Sequence, residues 1–163
     1  MLTGHIALRP AREEDEEFAN HLLHLTMQQY VEATWPNDKA AHRDYYGINK
    51  FKASGTRIIQ IEGKDVGRLS TTRLPDCVFI DELHILPEYQ RHGIGQYAIE
   101  QVLMEAQERR LPVRLTVLKV NPAQNLYLRM GFTMVAERDH RLHMQYSTII
   151  NRAVSPTTVR DLH

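Results

Sequence analysis

Apolar positions along this chain recur with two periods, and the alternation between them outlines the elements. Ile6 and Leu8 alternate in a short first strand. Pro10 then opens a helix led by Glu13, Glu14 and Asp15, acidic residues suited to a positive helix N-terminus, with Phe18, Leu22 and Leu25 on its apolar face. Residues 30–55 are polar and aromatic, and the pattern predicts a helix within 38–53. Strands follow near 57–62 and 65–73, joined by the turn Glu62-Gly63-Lys64. Residues 78–86 read Val-Phe-Ile-Asp-Glu-Leu-His-Ile-Leu, mostly apolar, as in a central strand covered on both faces, and Pro87 ends it. Ile94, Ala98, Ile99, Val102, Leu103 and Ala106 then recur at helical spacing up to Pro112, and Val113, Leu115 and Val117 alternate again. Asn121, Pro122 and Gly131 suit the N-cap, first turn and C-terminal stop of a helix of about two turns, carrying Ala123, Leu126, Tyr127 and Met130 on one face. Residues 132–137 and 141–149 predict a closing antiparallel hairpin.

The element order is β-α-α-β-β-β-α-β-α-β-β, an α/β (α+β) domain over residues 4–150 with a polar tail at 151–163. At 163 residues one domain is expected. Lys and Arg number 20, as do Asp and Glu, so overall charge predicts no nucleic-acid partner and any anion site must be local. A single cysteine, Cys77, excludes an internal disulfide framework and reads as a buried structural thiol. No signal-peptide pattern and no run of ~20 apolar residues is present, so a cytoplasmic protein without a membrane partner is expected.

The candidate chemistry begins at Gln90-Arg91-His92-Gly93-Ile94-Gly95-Gln96, between the buried strand and the amphipathic helix. Glycines let backbone approach a ligand, and the free N–H groups of a first helical turn favour an anion. A phosphate or pyrophosphate cradle is the physical prediction. Gly93 to Ala98 also matches the dinucleotide fingerprint G-x-G-x-x-A. That fingerprint needs a carboxylate about 20 positions on, whereas the next strand ends at Leu118-Lys119. No Lys-Ser or Lys-Thr follows the glycines, so a P-loop fails as well.

Gln90-x-x-Gly93-x-Gly95 after Pro-Glu-Tyr resembles the pyrophosphate-binding motif of the GNAT superfamily of acyl-CoA N-acyltransferases. Asn121-Pro-Ala-Gln-Asn-Leu-Tyr127-x-x-x-Gly131-Phe132 resembles that superfamily's second signature, in the right order and with one helix and one strand between. The resemblance implies a mixed, mostly antiparallel central sheet flanked by helices, with a splayed and bulged central strand. It implies acetyl-CoA as cosubstrate and a primary amine, on a small molecule or a peptide, as acceptor. Backbone of Leu83, His84 and Ile85 would pair with the pantetheine arm, with the Ile85 N–H a candidate donor to the thioester oxygen. Gln90 to Gln96, including Arg91, His92, Gly93, Ile94 and Gly95, would hold the pyrophosphate. Asn121 would cap its helix and contact the cofactor. Tyr127 would protonate the leaving thiolate, the alternative being a core aromatic with its hydroxyl in a cap or network. Homodimers are frequent in that family.

An amine acceptor, with a pKa of ~10.4 for a lysine side chain, must also lose a proton. Asp81 and Glu82 stand where some members of the family carry a carboxylate base; a satisfied structural pair or a chain of waters are the other readings. Other relatives use a glutamate on the next strand, but here that stretch is Leu115-Thr116-Val117. His84 is a candidate proton relay. His21 with His24, and His140 with His143, lack a third convincing ligand, so no metal site is expected. Tyr30, Trp35, Tyr45 and Tyr46, with Arg138, His140 and Arg141, fall in the segments that border the acceptor cleft in the family.

Overall fold

A computed structural model describes residues 4–147. Seven strands form one sheet: β1 (Ile6–Pro10), β2 (Thr56–Ile61), β3 (Lys64–Arg73), β4 (Val78–Ile85), β5 (Val113–Leu118), β6 (Thr133–Arg138) and β7 (Arg141–Tyr146), in the order β1-β2-β3-β4-β5-β7-β6. Every neighbouring pair is antiparallel except β4 and β5. The local chemistry explains this. Glu62 and Gly63 both have positive φ, 49° and 80°, the geometry of a tight hairpin turn between β2 and β3. Between β4 and β5 the chain instead runs through the helix α3 (Ile94–Glu108), the kind of crossover a parallel pair requires.

The long helix α1 (Glu16–Thr34) and α2 (Lys39–Ile48) cover one face of the sheet; α3 covers the other. The buried side of α3, Ile94, Ala98, Ile99, Val102 and Ala106, packs in one core with Ile59, Leu69, Ile80, Val113 and Leu115. On the opposite face Leu23, Met27, Val31, Tyr45 and Leu118 form a second, smaller core. The start of α1 is tied to the sheet through Asp15, whose carboxylate accepts two bonds from Arg9 of β1 at 2.9 Å each and one from the Arg12 N–H at 2.8 Å.

Two irregularities shape the middle of the sheet. Ser70 pairs with Glu82 and Thr71 with Ile80, so Asp81 is an extra residue in β4, a β-bulge. Cross-strand pairing puts Glu82 and His84 on the α1/α2 face, beside Ser70 and Arg68, and leaves Leu83 and Ile85 on the α3 face. Secondly, β4 and β5 pair only through Val78, Phe79 and Ile80, then diverge.

The sequence reading needs correction at the first helix. Pro10 ends β1, and α1 is led in by a 3₁₀ turn at Glu13–Asp15. The buried face of α1 is Ala19, Leu22, Leu23, Met27 and Val31, whereas Leu25 points outward, 46% exposed. The predicted tail at 151–163, and the end of the predicted last strand, lie outside the described residues.

Candidate active site

Where β4 and β5 part, a cavity of about 340 Å³ opens, its lining including Leu83, Asn121, Tyr127, Glu82, His84 and Arg68. Backbone direction follows from the ladder. The Leu86 N–H binds the Val66 carbonyl of β3 at 2.8 Å, so by alternation the N–H and C=O groups of Leu83 and Ile85 face the open side. The Ile85 carbonyl is already used: the Gln90 side-chain amide donates to it at 2.9 Å. Gln90 therefore ties the loop to the end of β4, while the Ile85 N–H stays turned towards the gap.

Glu82 and His84 are both buried, and the Glu82 carboxylate lies 2.8 Å from His84 Nε2. His84 Nδ1 meets the Thr26 hydroxyl of α1 at 3.1 Å, and that hydroxyl is 2.8 Å from the Leu22 carbonyl. A hydroxyl has one proton to give. It can donate to Nδ1, leaving Nε2–H to bond an ionised Glu82, or to Leu22, with Nδ1 then carrying its own proton. The network thus has two arrangements that differ by one proton.

Tyr127 follows the lead-in of the short helix α4 (Gln124–Arg129) and packs edge-on against Phe132, with ring centroids 5.6 Å apart. Its hydroxyl hydrogen-bonds to no other described residue. Burial, with the charge of Glu82 adding to it, pushes the phenol up to about 12, so it is protonated at neutral pH. Asn121 accepts the Ala123 N–H at 2.9 Å and so caps the 3₁₀ turn that precedes α4, while also lining the cavity. Asp81 is exposed at the cavity rim and accepts the Thr72 hydroxyl at 2.7 Å; burial pushes its carboxyl up, against that hydrogen bond.

The loop from Gln90 to Gln96 wraps the start of α3. Arg91 and Gly93 take left-handed φ of 64° and 81°, and Gly93 is the N-cap. The first helical bond runs from Tyr97 N–H to the Gly93 carbonyl, leaving the N–H groups of Ile94, Gly95 and Gln96 without intrahelical acceptors. A Cβ on Gly93 would meet nothing within 4 Å, and one on Gly95 only Leu126 at 3.5 Å, so space above the helix start is open. His92 is half-buried there, and Arg91 is exposed. These donors fit an anionic phosphate group.

Other sequence candidates take structural places. His24 stacks on Tyr46 at 4.0 Å between centroids, His140 stands edge-on to Trp35, and His143 meets the Thr116 hydroxyl at 3.2 Å. Of the aromatic and basic acceptor candidates, Tyr45 and Arg141 line the cavity, and Arg141 also lies over the Trp35 ring. Among the described residues no His/Cys/Asp/Glu group suited to a metal ion occurs. No helix there is long and apolar enough to cross a membrane. Two participants were absent from the sequence reading. Thr26 gave no signal, because its partner is 58 residues away. Arg68 could have been found as a charge in the middle of a strand with apolar and small neighbours.

The acetyltransferase (GNAT) family model matches residues 19–132, which include both the loop at Gln90–Gln96 and Tyr127. The chain belongs to the GNAT acetyltransferase family. No curated protein sequence matches it. Solved structures agree on the GNAT fold. The PaiA N-acetyltransferase of Thermoplasma acidophilum, in complex with coenzyme A, superposes with a TM-score of 0.71 at 14% identity, over 88% of this chain and 99% of that one. The ribosomal-protein-S18-alanine N-acetyltransferase of Escherichia coli gives 0.61 at 19% identity, over 87% and 93%. The N-acetylglutamate synthase of Neisseria gonorrhoeae, complexed with coenzyme A and N-acetyl-glutamate, gives 0.63 at 15% identity, over 88% of this chain and 35% of that one.

Proposed function

We propose that this GNAT member is an N-acetyltransferase that moves an acetyl group from acetyl-CoA to a primary amine by direct attack. The observation that carries the reading is one cavity lined by both an unpaired, protonated Tyr127 and the buried Glu82–His84 pair. Acetyl-CoA, when bound, supplies an acyl group activated as a thioester. The N–H groups of Ile94, Gly95 and Gln96, with Arg91 and His92 beside them, would hold its pyrophosphate. The open backbone of Leu83 and Ile85 would pair with its pantetheine arm. The Ile85 N–H then stands where it can donate to the oxygen that gains charge as the amine attacks.

Glu82 and His84 take the proton of the acceptor ammonium. Glu82 receives it on the carboxylate oxygen that is not bonded to His84, while the Nε2–H and the Thr26 hydroxyl hold the pair in place. Asp81 at the rim is the other carboxylate within the cavity lining and can pass the proton outward. Tyr127 holds at its hydroxyl the proton that the departing sulfur needs. The C–N bond forms and the C–S bond breaks; the nitrogen gives up two protons, one through Glu82 and His84 and the other to replace the one Tyr127 hands to the sulfur, so the reaction releases one proton.

Thiol release from acetyl-CoA, measured across a panel of amines and peptides, tests this. Amine-dependent release that falls in Glu82→Gln and in Tyr127→Phe is expected. Binding of acetyl-CoA with no amine-dependent release would overturn the enzyme reading in favour of a CoA-binding module of the same fold.

A further inference from the structure

Arg68 sits at the centre of β3, opposite His84 and next to the Ser70–Glu82 pair. Its side chain is 1% exposed, among the most deeply buried in the protein, and it lines the cavity. A guanidinium carries five N–H donors. One reaches the Ala19 carbonyl at 3.3 Å and one the Asn49 carbonyl at 3.4 Å, both long. Nε has no partner among the described residues. Glu82 would be the natural counter-ion, but its carboxylate is bonded to His84 and reaches Arg68 only as a field. A buried cation held by two long bonds to neutral carbonyls is under-satisfied, and such a deficit is costly unless something completes it.

What would complete it is a planar anion with two acceptor oxygens, which a guanidinium fork matches. The rim of the same cavity carries Lys50, Lys52 and Arg141, with Asp81 as the opposing charge, so anions are favoured on approach. The proton-accepting pair lies one strand across. We infer that the acceptor is a small primary amine that also carries a carboxylate, an amino-acid-like molecule, with Arg68 binding the carboxylate while Glu82 and His84 receive the ammonium. This inference rests on the acetyl-transfer reading and narrows it to one acceptor class. A volume of about 340 Å³ suits such a molecule better than a folded protein surface.

The test compares amino acids with their amides and with the decarboxylated amines, by calorimetric titration in the presence of CoA and by thiol release from acetyl-CoA. At least one acid is expected to bind about 100-fold more tightly than its amide. Arg68→Met should abolish that difference and raise KM for the acid towards that for the amide. Arg68→Lys retains the buried charge and should retain part of the preference. The acid–amide comparison in the unaltered protein needs no variant, so a folding defect in Arg68→Met does not blunt the test. Acids and amides bound and acetylated alike, or no acid bound above its amide, would overturn the carboxylate site while leaving acetyl transfer standing. An acid that binds through Arg68 without ever being acetylated would do the reverse.

Discussion

Tyr127 and Glu82 were legible in the sequence because each sits inside or beside a local motif, and local spacing is what a sequence displays. Arg68 and Thr26 were not, because their roles come from contacts across the chain: Arg68 with carbonyls 49 and 19 positions away, Thr26 with His84 58 positions away. The alternative that made Tyr127 a hydroxyl-bonded core residue finds no bond among the described residues, although its ring does pack on Phe132. Removing only the hydroxyl separates packing from chemistry. Tyr127→Phe should lower kcat by about 100-fold, within the range of a lost general acid, with acetyl-CoA affinity by calorimetry unchanged. Unchanged turnover would return Tyr127 to the core.

Among the elements, the helices and strands followed their periodicities, and the misses came where a tertiary contact overrode local preference. Pro10 was expected to open the first helix. Instead β1 keeps its pairing with β2 through Pro10, and Asp15 starts the helix by holding Arg9 and the Arg12 N–H. The Arg9 bonds, working against burial, hold the Asp15 carboxyl down to about 2 from an ordinary 3.8. A depressed carboxyl stabilises the fold above its unfolded pKa, and that contribution disappears as pH falls through the folded one. Asp15 should therefore contribute about 2 kcal/mol at neutral pH, lost between about pH 4 and pH 2. Urea titrations of the protein and Asp15→Asn should differ by that amount at pH 7 and converge at the acid end. At the start of α3, Gly93 is needed for its φ of 81° and not for space, since a Cβ there would touch nothing. Gly93→Ala should cost about 1–2 kcal/mol in thermal unfolding from the left-handed backbone alone. If the helix start holds the pyrophosphate, CoA affinity should drop in the same variant.

For the whole molecule, the mostly antiparallel sheet with helices on both faces was foreseeable from element order and the two motifs, and the resemblance also implied the splayed strand that opens the cavity. It exists because two strands that begin as neighbours separate after Ile80, with the phosphate-type cradle beyond one end and the proton-accepting pair on the α1/α2 face. A ligand that bridges the parted strands should stabilise the whole domain. Acetyl-CoA at 100 times its Kd should add about 2.7 kcal/mol and raise Tm by about 5 °C or more, while nicotinamide nucleotides leave it where it was. Equal shifts from both would contradict the cavity's assignment. The extra residue at position 81 carries a further consequence. Along β4 the odd–even order of side chains resets there: Val78 and Ile80 share the α3 side with Leu83 and Ile85, although an uninterrupted count would separate them. Deleting Asp81 would restore plain alternation, with Val78, Ile80, Leu83 and Ile85 still on one side and Glu82 and His84 on the other, but it would remove the bulge. Changing Asp81 to alanine keeps the count. The core should thus survive either change, and what the extra residue supplies is the local bend of β4 next to the point where β4 and β5 part.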